Sequence, residues 1–398
     1  MMPSIQPLLD VFLLGLGPVG QAFLRRSFEP VYQWFNVVGV QDSTACLLTP
    51  SGLTTPLLEE ISEKKQKKKG LDAIEIPDED FSFKEPSSLR YVPDFSRNRP
   101  FVVLDASDQD TSVILANTLQ RVGYVAGVNK VPFSQDSCET ELLYSAAMQE
   151  QKLVYMTGTV GADIGVPDAL INILREEGPE YVKISAVATG TGTYVCSRLE
   201  QNEDIEAILA TGFSEGITER KIGLDMSGID VERKAIILAK IIQQYDPVCE
   251  VKITRTSLLE GIAPSGFEES SMGLEGGDYI EAIDRDHTIR TEFKRKFGGV
   301  REGMALRYVL DLEYQQGEGI TIDIGLKEVP KDSTIGSLTG TDNVFHFYVN
   351  CPPGQDVVKL PIEAYSTLGP APGAGPDETA NALYKNLESV KQQILKDS

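Results

Sequence analysis

Histidine is almost missing from this sequence: only His287 and His346 occur in 398 residues. Any mechanism that needs several imidazoles, a His-rich metal site among them, is hard to build from two. Cysteine is sparse as well. Cys46, Cys138, Cys196, Cys249 and Cys351 are odd in number and scattered, without the close pairs that a zinc site or redox dithiol needs. That usage points to a reducing, cytoplasmic compartment. Basic charge is short too, with 37 Lys and Arg against 59 Asp and Glu and a formal net charge of -22. Such a surface repels a phosphate backbone, so no nucleic-acid partner is expected. No stretch approaches the roughly 18 uninterrupted apolar residues of a membrane span, so no membrane partner is expected. The first apolar run contains Asp10 and has no basic residue ahead of it, unlike a secretory signal.

What is present is an ordinary globular composition, 41% apolar and 8% aromatic, on a chain long enough for two domains. Val11 to Leu14 is a short apolar run that meets Gly15-Leu16-Gly17-Pro18-Val19-Gly20, and a helical stretch follows. A second run, Phe35 to Val40, ends at Gln41-Asp42-Ser43, which completes one parallel crossover unit. From Thr44 to Pro100 the pattern loosens into a proline-punctuated connection with a helix near Leu57 to Lys68. Its lysine run, 64 to 69, reads as a solvated helix end without function. Alternation then resumes: a strand at Phe101 to Leu104, a helix to Gln120, a strand at Tyr124 to Val128, a helix to Gln149, and Leu153 to Met156.

This order predicts an α/β chain with a Rossmann-type, doubly wound parallel sheet, whose ligands bind beyond the carboxyl ends of the strands. After Val166 the character changes to a helix, a strand at Tyr181 to Ala188, more helices including Ile229 to Gln243, and strands at Met304 to Tyr314, Ile320 to Lys327 and Val344 to Cys351. We read a second, α+β domain for catalysis and dimerisation. The expected domains are 1–156, rejoined by 369–398 with its helix from Asp377, and 157–368.

Gly15, Gly17 and Gly20 stand as G-x-G-x-x-G between a strand and a helix, with Asp42 placed to accept ribose hydroxyls at an offset of 22 from Gly20. Pro18 and Val19 complete the turn, and Ala106, Ser107, Asn129 and Lys130 follow other strands of the same sheet. Gly212-Phe213-Ser214-Glu215-Gly216 matches the serine-hydrolase elbow, but helical spacing precedes the serine where that motif needs a strand. Asp225 to Lys234 places Asp230 and Lys234 on one helix face. They read either as an exposed ion pair or as an acid/base lysine oriented by its aspartate, with Asp225 nearby for a polar substrate group. The loop Gly369 to Gly375 and Thr379 read either as an anion cradle at a helix start or as a mobile connection.

Taken in order, these motifs resemble homoserine dehydrogenase in its short form without a regulatory domain. Val128-Asn129-Lys130 is similar to the family's P-N-K and Thr159-Val160-Gly161-Ala162 to its T-V-G-A/G. Ala188 to Tyr194 is similar to its N-G-T-T-N-Y, and Gly212 to Glu215 to its G-Y-x-E. Asp225 to Lys234 is similar to D-L-S-G-x-D-V-x-R-K, the most specific of these. Gly336 to Asn343, and Gly373 to Gly375 with Thr379 and Ala380, resemble two further segments.

The resemblance implies hydride transfer between L-aspartate 4-semialdehyde and L-homoserine, in threonine and methionine biosynthesis, by a cytoplasmic homodimer. It puts Lys234, Asp230 and Lys130 at catalytic positions, with carboxylate binding and proton delivery shared between the two lysines. Glu215 falls at the substrate amine, Asp225 at the hydroxyl end, and Gly190 and Thr191 beside the substrate. It implies a nicotinamide cofactor along Gly15 to Gly20, Asp42, Ala106, Ser107, Asn129, Lys130, Gly375 and Thr379. Asp42 favours NAD over NADP. A monovalent cation, Na+ or K+, is implied at the backbone of Val160 and Ala162, although Thr157 stands where many members carry a glutamate. Residues 216 to 224 are longer than the usual link, so Glu219 competes with Glu215 for the amine. The alternatives are a related dehydrogenase of another small aldehyde or alcohol, and a nucleotide-binding regulatory protein without turnover.

Overall fold

The computed structural model describes residues 7–27, 29–49, 51–67, 69–74, 82–84, 99–121, 123–149, 153–218, 220–350, 359–363, 365–366, 369–370 and 375–397. The chain divides into two units, Met1–Asp168 with Pro376–Ser398, and Ala169–Gly375. The first division thus falls at Asp168 rather than 156, and the return at Pro376 rather than 369. Side chains keep the intervening turn with the first unit: Lys385 Nζ donates to the Asp163 carbonyl at 2.8 Å and its carboxylate at 3.1 Å.

In the first unit, strands β1 (Leu9–Leu14), β2 (Phe35–Gln41), β3 (Cys46–Leu48), β4 (Ser82–Lys84), β5 (Phe101–Asp105), β6 (Tyr124–Gly127) and β7 (Val154–Tyr155) lie in the order β4-β3-β2-β1-β5-β6-β7. β2, β1, β5, β6 and β7 run parallel. β1 is buried along its whole length, as a central parallel strand covered on both faces must be. Because the chain leaves β1 for β2 on one side and takes up β5 on the other, the strand order reverses there, opening the crevice where such sheets bind ligands. β3 pairs antiparallel with both β2 and β4, within the stretch read from sequence as a loose connection. The cause is a tight turn after β2, closed by Asp42 N–H donating to the Ala45 carbonyl at 3.0 Å, which folds the chain back before any crossover.

Helices α1 (Pro18–Ser27), α2 (Thr55–Gln66), α3 (Ser112–Gln120) and α4 (Cys138–Met148) accompany this sheet. Leu9, Val11 and Leu13 of β1 share one core with Phe23 and Leu24 of α1 and with Leu383, Leu387 and Val390 of the C-terminal helix, Pro376–Asp397. Each such side chain contributes about 1.5–3 kcal/mol of burial, which fixes the returning helix to the first unit. Tyr384 stacks on Phe23 at 4.8 Å and donates its hydroxyl to the Phe23 carbonyl at 2.7 Å.

The second unit begins within α5 (Val166–Glu177) and holds β8 (Tyr181–Val187), α6 (Gly190–Leu199), α7 (Ile205–Ser214), α8 (Ile222–Ser227), α9 (Ile229–Tyr245) and β9 (Val251–Arg255). α10 (Phe267–Ser271), α11 (Gly276–Arg285), α12 (His287–Gly298), β10 (Met304–Gln315), β11 (Gly319–Pro330), β12 (Val344–Val349) and β13 (Lys359–Glu363) follow. The sheet order is β13-β12-β8-β10-β11-β9, with only the β11 to β9 pairing parallel. The strands alternate. Ile184, Ala186, Leu310, Leu312, Ile322 and Ile324 are buried on one face, and α9 packs against β10 and β11. The opposite face carries polar pairs: Lys183 with Glu313 at 2.5 Å, and Lys327 with Asp311 at 2.6 Å and Asp323 at 2.5 Å.

Candidate active site

The glycine turn after β1 is set by three different constraints. Gly15 has φ +90 and approaches Ser107 so closely that a Cβ there would lie 2.6 Å from its backbone nitrogen. A Cβ on Gly20 would meet the Gly15 carbonyl oxygen at 2.0 Å, so α1 can pack onto the turn only with glycine at that position. Around Gly17 nothing lies within 4 Å of such an atom, which leaves open space where a pyrophosphate must come close. Pro18 opens α1 and Val19 follows, so the first backbone donors of the helix head this turn.

Asp42 is not free for a ribose. Its Oδ1 accepts from Thr44 N–H (2.7 Å), Thr44 hydroxyl (2.7 Å) and Ala45 N–H (2.9 Å), and its Oδ2 from Lys65 Nζ (2.8 Å) and Leu71 N–H (2.9 Å). Five donors exceed the roughly four lone-pair sites of a carboxylate. Burial pushes its pKa up, but the bonds from Lys65, Thr44 and Ala45 outweigh that and hold it below the usual carboxylate range. The ribose-reading role expected of Asp42 is therefore corrected: it is the knot that ties β2 to α2. Lys65, read from sequence as solvated, is its main partner.

A second carboxylate, missed in the sequence, organises the other side of the crevice. Asp105, at the end of β5, is fully buried and accepts from Ser107 N–H (3.0 Å), Ser107 hydroxyl (2.7 Å), Asn129 Nδ2 (2.9 Å) and the Thr111 hydroxyl. Burial pushes its pKa up against those bonds. Ala106 N–H closes onto the Leu14 carbonyl at 2.8 Å, so the turns after β1, β5 and β6 are held as one rim. The side chains of Ser107 and Asn129 are thereby committed to the rim itself. Lys130 is half-buried at the head of a single 3-10 turn, Val131–Phe133.

At the C-terminal end of this unit, Gly375 and Thr379 flank the first turn of the last helix, whose other first-turn residues include Asp377 and Glu378. Those carboxylates oppose an anion there. Gly373 and Ala374 lie outside the described residues. Val160 and Ala162 are buried within the turn before α5, where Gly161 and Ala162 take left-handed conformations. Thr157 donates its hydroxyl to Asp168, and the Lys385 ammonium already serves Asp163. Among the described residues no group of His, Cys, Asp or Glu side chains could hold a metal ion, so the expected cation rests on the backbone of Val160 and Ala162 alone.

In the second unit, Lys234 is only 6% exposed. Its ammonium donates to the Ala188 carbonyl at 2.6 Å and pairs with Asp230 at 2.7 Å. The exposed-ion-pair reading is thus excluded by burial. Among the described residues these partners take two of the three ammonium donors. Asp225 is buried on α8, one short turn away in sequence. Gly228, with φ +76, joins α8 to α9 against Tyr308, whose hydroxyl oxygen would lie 1.8 Å from any Cβ there. Arg255 braces the same junction, donating to Glu232 at 2.9 Å and to the Ser227 carbonyl.

Gly190 and Thr191 start α6, where Thr189 accepts from Gly192 N–H at 3.1 Å and caps the helix. Thr191 Oγ1 donates to the Ile217 carbonyl at 3.1 Å. Glu215 ends α7 with its side chain exposed, and Glu219 lies outside the described residues. Ser214 sits on the same helix, its hydroxyl donating to the Thr211 carbonyl at 2.9 Å, which is no nucleophile elbow.

A family profile described as homoserine dehydrogenase matches residues 170–387, more than half of the chain. The chain belongs to the homoserine dehydrogenase family. It is accordingly an oxidoreductase of that type, as its motifs implied. The homoserine dehydrogenase of Emericella nidulans is 23% identical, covering 96% of this chain and 98% of that protein. That of Methanocaldococcus jannaschii is 24% identical, covering 98% and 100%. Among solved structures, a hyperthermophilic archaeal homoserine dehydrogenase in complex with NADPH superposes with a TM-score of 0.62 at 18% identity, covering 96% of this chain and 98% of that one.

Within this family frame, the residues expected at the site fall into two groups. Gly15 to Gly20, Ala106, Ser107, Asn129 and Lys130 come together at the switch point of the first sheet. Gly190, Thr191 and the Asp230–Lys234 pair gather at the end of β8 in the second unit, and Asp225 lies on the adjoining α8. The sequence reading missed Asp105 and Arg255, because a lone acid or arginine at a strand end signals nothing until its partners are in place.

Proposed function

We propose that the protein interconverts L-aspartate 4-semialdehyde and L-homoserine, with Lys234 as the proton relay. The burial of its ammonium between Asp230 and the Ala188 carbonyl carries this reading. A nicotinamide cofactor, when bound, supplies or accepts the hydride. In reduction the carbonyl carbon gains the hydride while Lys234 gives a proton to the carbonyl oxygen; in oxidation it takes that proton back. Asp230 holds the ammonium in place, and Asp225 orients the hydroxyl end. By the family resemblance Lys130 takes the substrate carboxylate, Gly190 and Thr191 lie beside the substrate, and Glu215 takes the amine. Neither alternative reading, another small aldehyde or a regulator without turnover, draws support from a particular observation. Purified protein given homoserine with NAD or NADP, followed by the absorbance of the reduced cofactor, tests this. Absence of homoserine turnover with both cofactors sinks it.

For the cofactor, the preference for NAD loses its basis once Asp42 is engaged with Lys65. NADP is accepted at least as readily, since the Asp42 charge is neutralised in place and Ser43 is exposed beside it. The NADPH complex of the archaeal relative agrees with this. The monovalent cation belongs to the same proposal, held by the backbone of Val160 and Ala162, and dependence of the rate on added NaCl or KCl tests it. The polar face of the second sheet, with charges of both signs, suits a two-fold partner of the same chain, so we propose a homodimer. No helix among the described residues is long and apolar enough to cross a membrane. With its scattered free cysteines, the enzyme is proposed to work in the cytoplasm.

A further inference from the structure

Three hydroxyls in the second unit, those of Tyr194, Thr218 and Tyr279, are buried with no hydrogen-bond partner among the described residues, and the first two are neighbours. Tyr194 on α6 is 5% exposed and Thr218, in the loop after α7, is 8% exposed. Among the described residues, neither Tyr194 Oη nor Thr218 Oγ1 finds a hydrogen-bond partner. Folded proteins rarely leave buried polar atoms in this condition unless a water or ligand completes them.

The two lie side by side. A Cβ placed on Gly212 would be 3.2 Å from Tyr194 Cε1 and 3.2 Å from Thr218 Cγ2, so both residues close over the same glycine. Three residues further along α7, on the same helix face, is Glu215. Three residues before Tyr194, on the same face of α6, is Thr191, whose bond to the Ile217 carbonyl draws the Thr218 loop against that helix. The other charge nearby, Arg198, stacks on the Tyr194 ring at 5.4 Å and is spent on Glu203 at 2.6 Å. The niche therefore offers two hydroxyl oxygens, with the Glu215 carboxylate close enough to act on Tyr194 and the charge of Arg198 paired with Glu203.

We infer that Tyr194 and Thr218 are specificity-determining residues whose hydroxyls receive the α-ammonium of the substrate beside Glu215. This rests on the homoserine reading above and adds two ligands to it. An ammonium has three donors, and Glu215, Tyr194 and Thr218 supply three acceptors. A carboxylate is the wrong guest, because Glu215 would repel it. The enzyme thereby distinguishes an amino acid from the same chain without its amine, and Gly212 is required because a side chain there would occupy the niche.

The test uses Tyr194→Phe and Thr218→Val, which delete only the hydroxyl, with Thr218→Ser as the variant that keeps it. A hydrogen bond to a charged group corresponds to about a tenfold change, so each deletion is expected to raise the KM for homoserine about tenfold and to lower kcat less. Competitive inhibition by 4-hydroxybutanoate, which lacks the amine, stays as in the parent protein, and Thr218→Ser keeps the parent KM. Melting temperatures do not fall, since each deletion removes a buried atom that had no partner. Unchanged homoserine KM in both folded variants, or an equal weakening of 4-hydroxybutanoate, overturns the inference while parent activity on homoserine leaves the proposed function standing. A parent protein inert toward homoserine removes both.

Discussion

Replacing Lys234 by methionine separates chemistry from architecture at the centre of the site. The substitution keeps an unbranched apolar stem, and so most of the packing, but deletes an ammonium that donates at 2.6 Å to the Ala188 carbonyl and pairs at 2.7 Å with Asp230. A positioned proton donor is worth about 10²–10⁴ in rate, so turnover is expected to fall at least a hundredfold in both directions. Stability also falls, by about 1–3 kcal/mol, because a buried carbonyl and a carboxylate lose their donor. For a unit of this size that is about 2–4 °C of melting temperature per kcal/mol. Asp230→Asn is the companion: its amide oxygen still accepts from Lys234, so the melting temperature hardly moves while turnover drops. Steady-state rates and thermal melts on the three proteins decide the matter. If Lys234→Met melts lower but keeps more than a tenth of the parent rate, the pair is structural and the relay lies elsewhere.

The remaining expectations concern the first unit. Asp42→Asn should leave the ratio of kcat/KM for NADP and NAD within about threefold of the parent, since the carboxylate is turned into its own turn; a large swing toward NADP would restore its ribose role. The same variant should be less stable than the parent at neutral pH. The pKa of Asp42 is lowered in the folded state, so its contribution is present above the ordinary carboxylate range and lost as pH falls through the folded value. The gap between parent and variant in denaturant titrations should accordingly close on acidification, and a gap that widens contradicts the assignment. Gly17→Ala should fold with a melting temperature near the parent's yet bind NADPH more weakly in a fluorescence titration, whereas Gly20→Ala should lose stability outright, because only the second runs into backbone; equal behaviour would refute the division of roles.

The parts of the fold that could be read in advance are those whose information is local. The G-x-G-x-x-G turn, the parallel core and the Asp230 to Lys234 spacing all follow from short periods in the sequence, and each is found where expected. The antiparallel β3 and β4 were not legible, because the turn that creates them depends on Lys65 and Leu71 reaching back to Asp42 from α2 and beyond. β9 to α12 went unread as well, although Tyr279, Ile283, Ile289, Phe293 and Phe297 are buried at helical spacing. Burial was the other blind spot. An offset of four residues shows that a lysine and an aspartate can meet, but only β8, delivering the Ala188 carbonyl, shows that they meet away from water.

The return of the last helix also governs the order in which this chain can finish folding. Leu383, Leu387 and Val390 complete an apolar face of β1 and α1, yet the whole of Ala169–Gly375 must be made between those elements and this helix. Throughout that interval the nascent first unit exposes the face that its final segment will cover, and the second unit has all its own strands beforehand. A ribosome-bound chain therefore completes its second unit before its first, and a chain cut short ahead of Pro376 is left with an open sheet face, a ready substrate for chaperones that bind apolar surface.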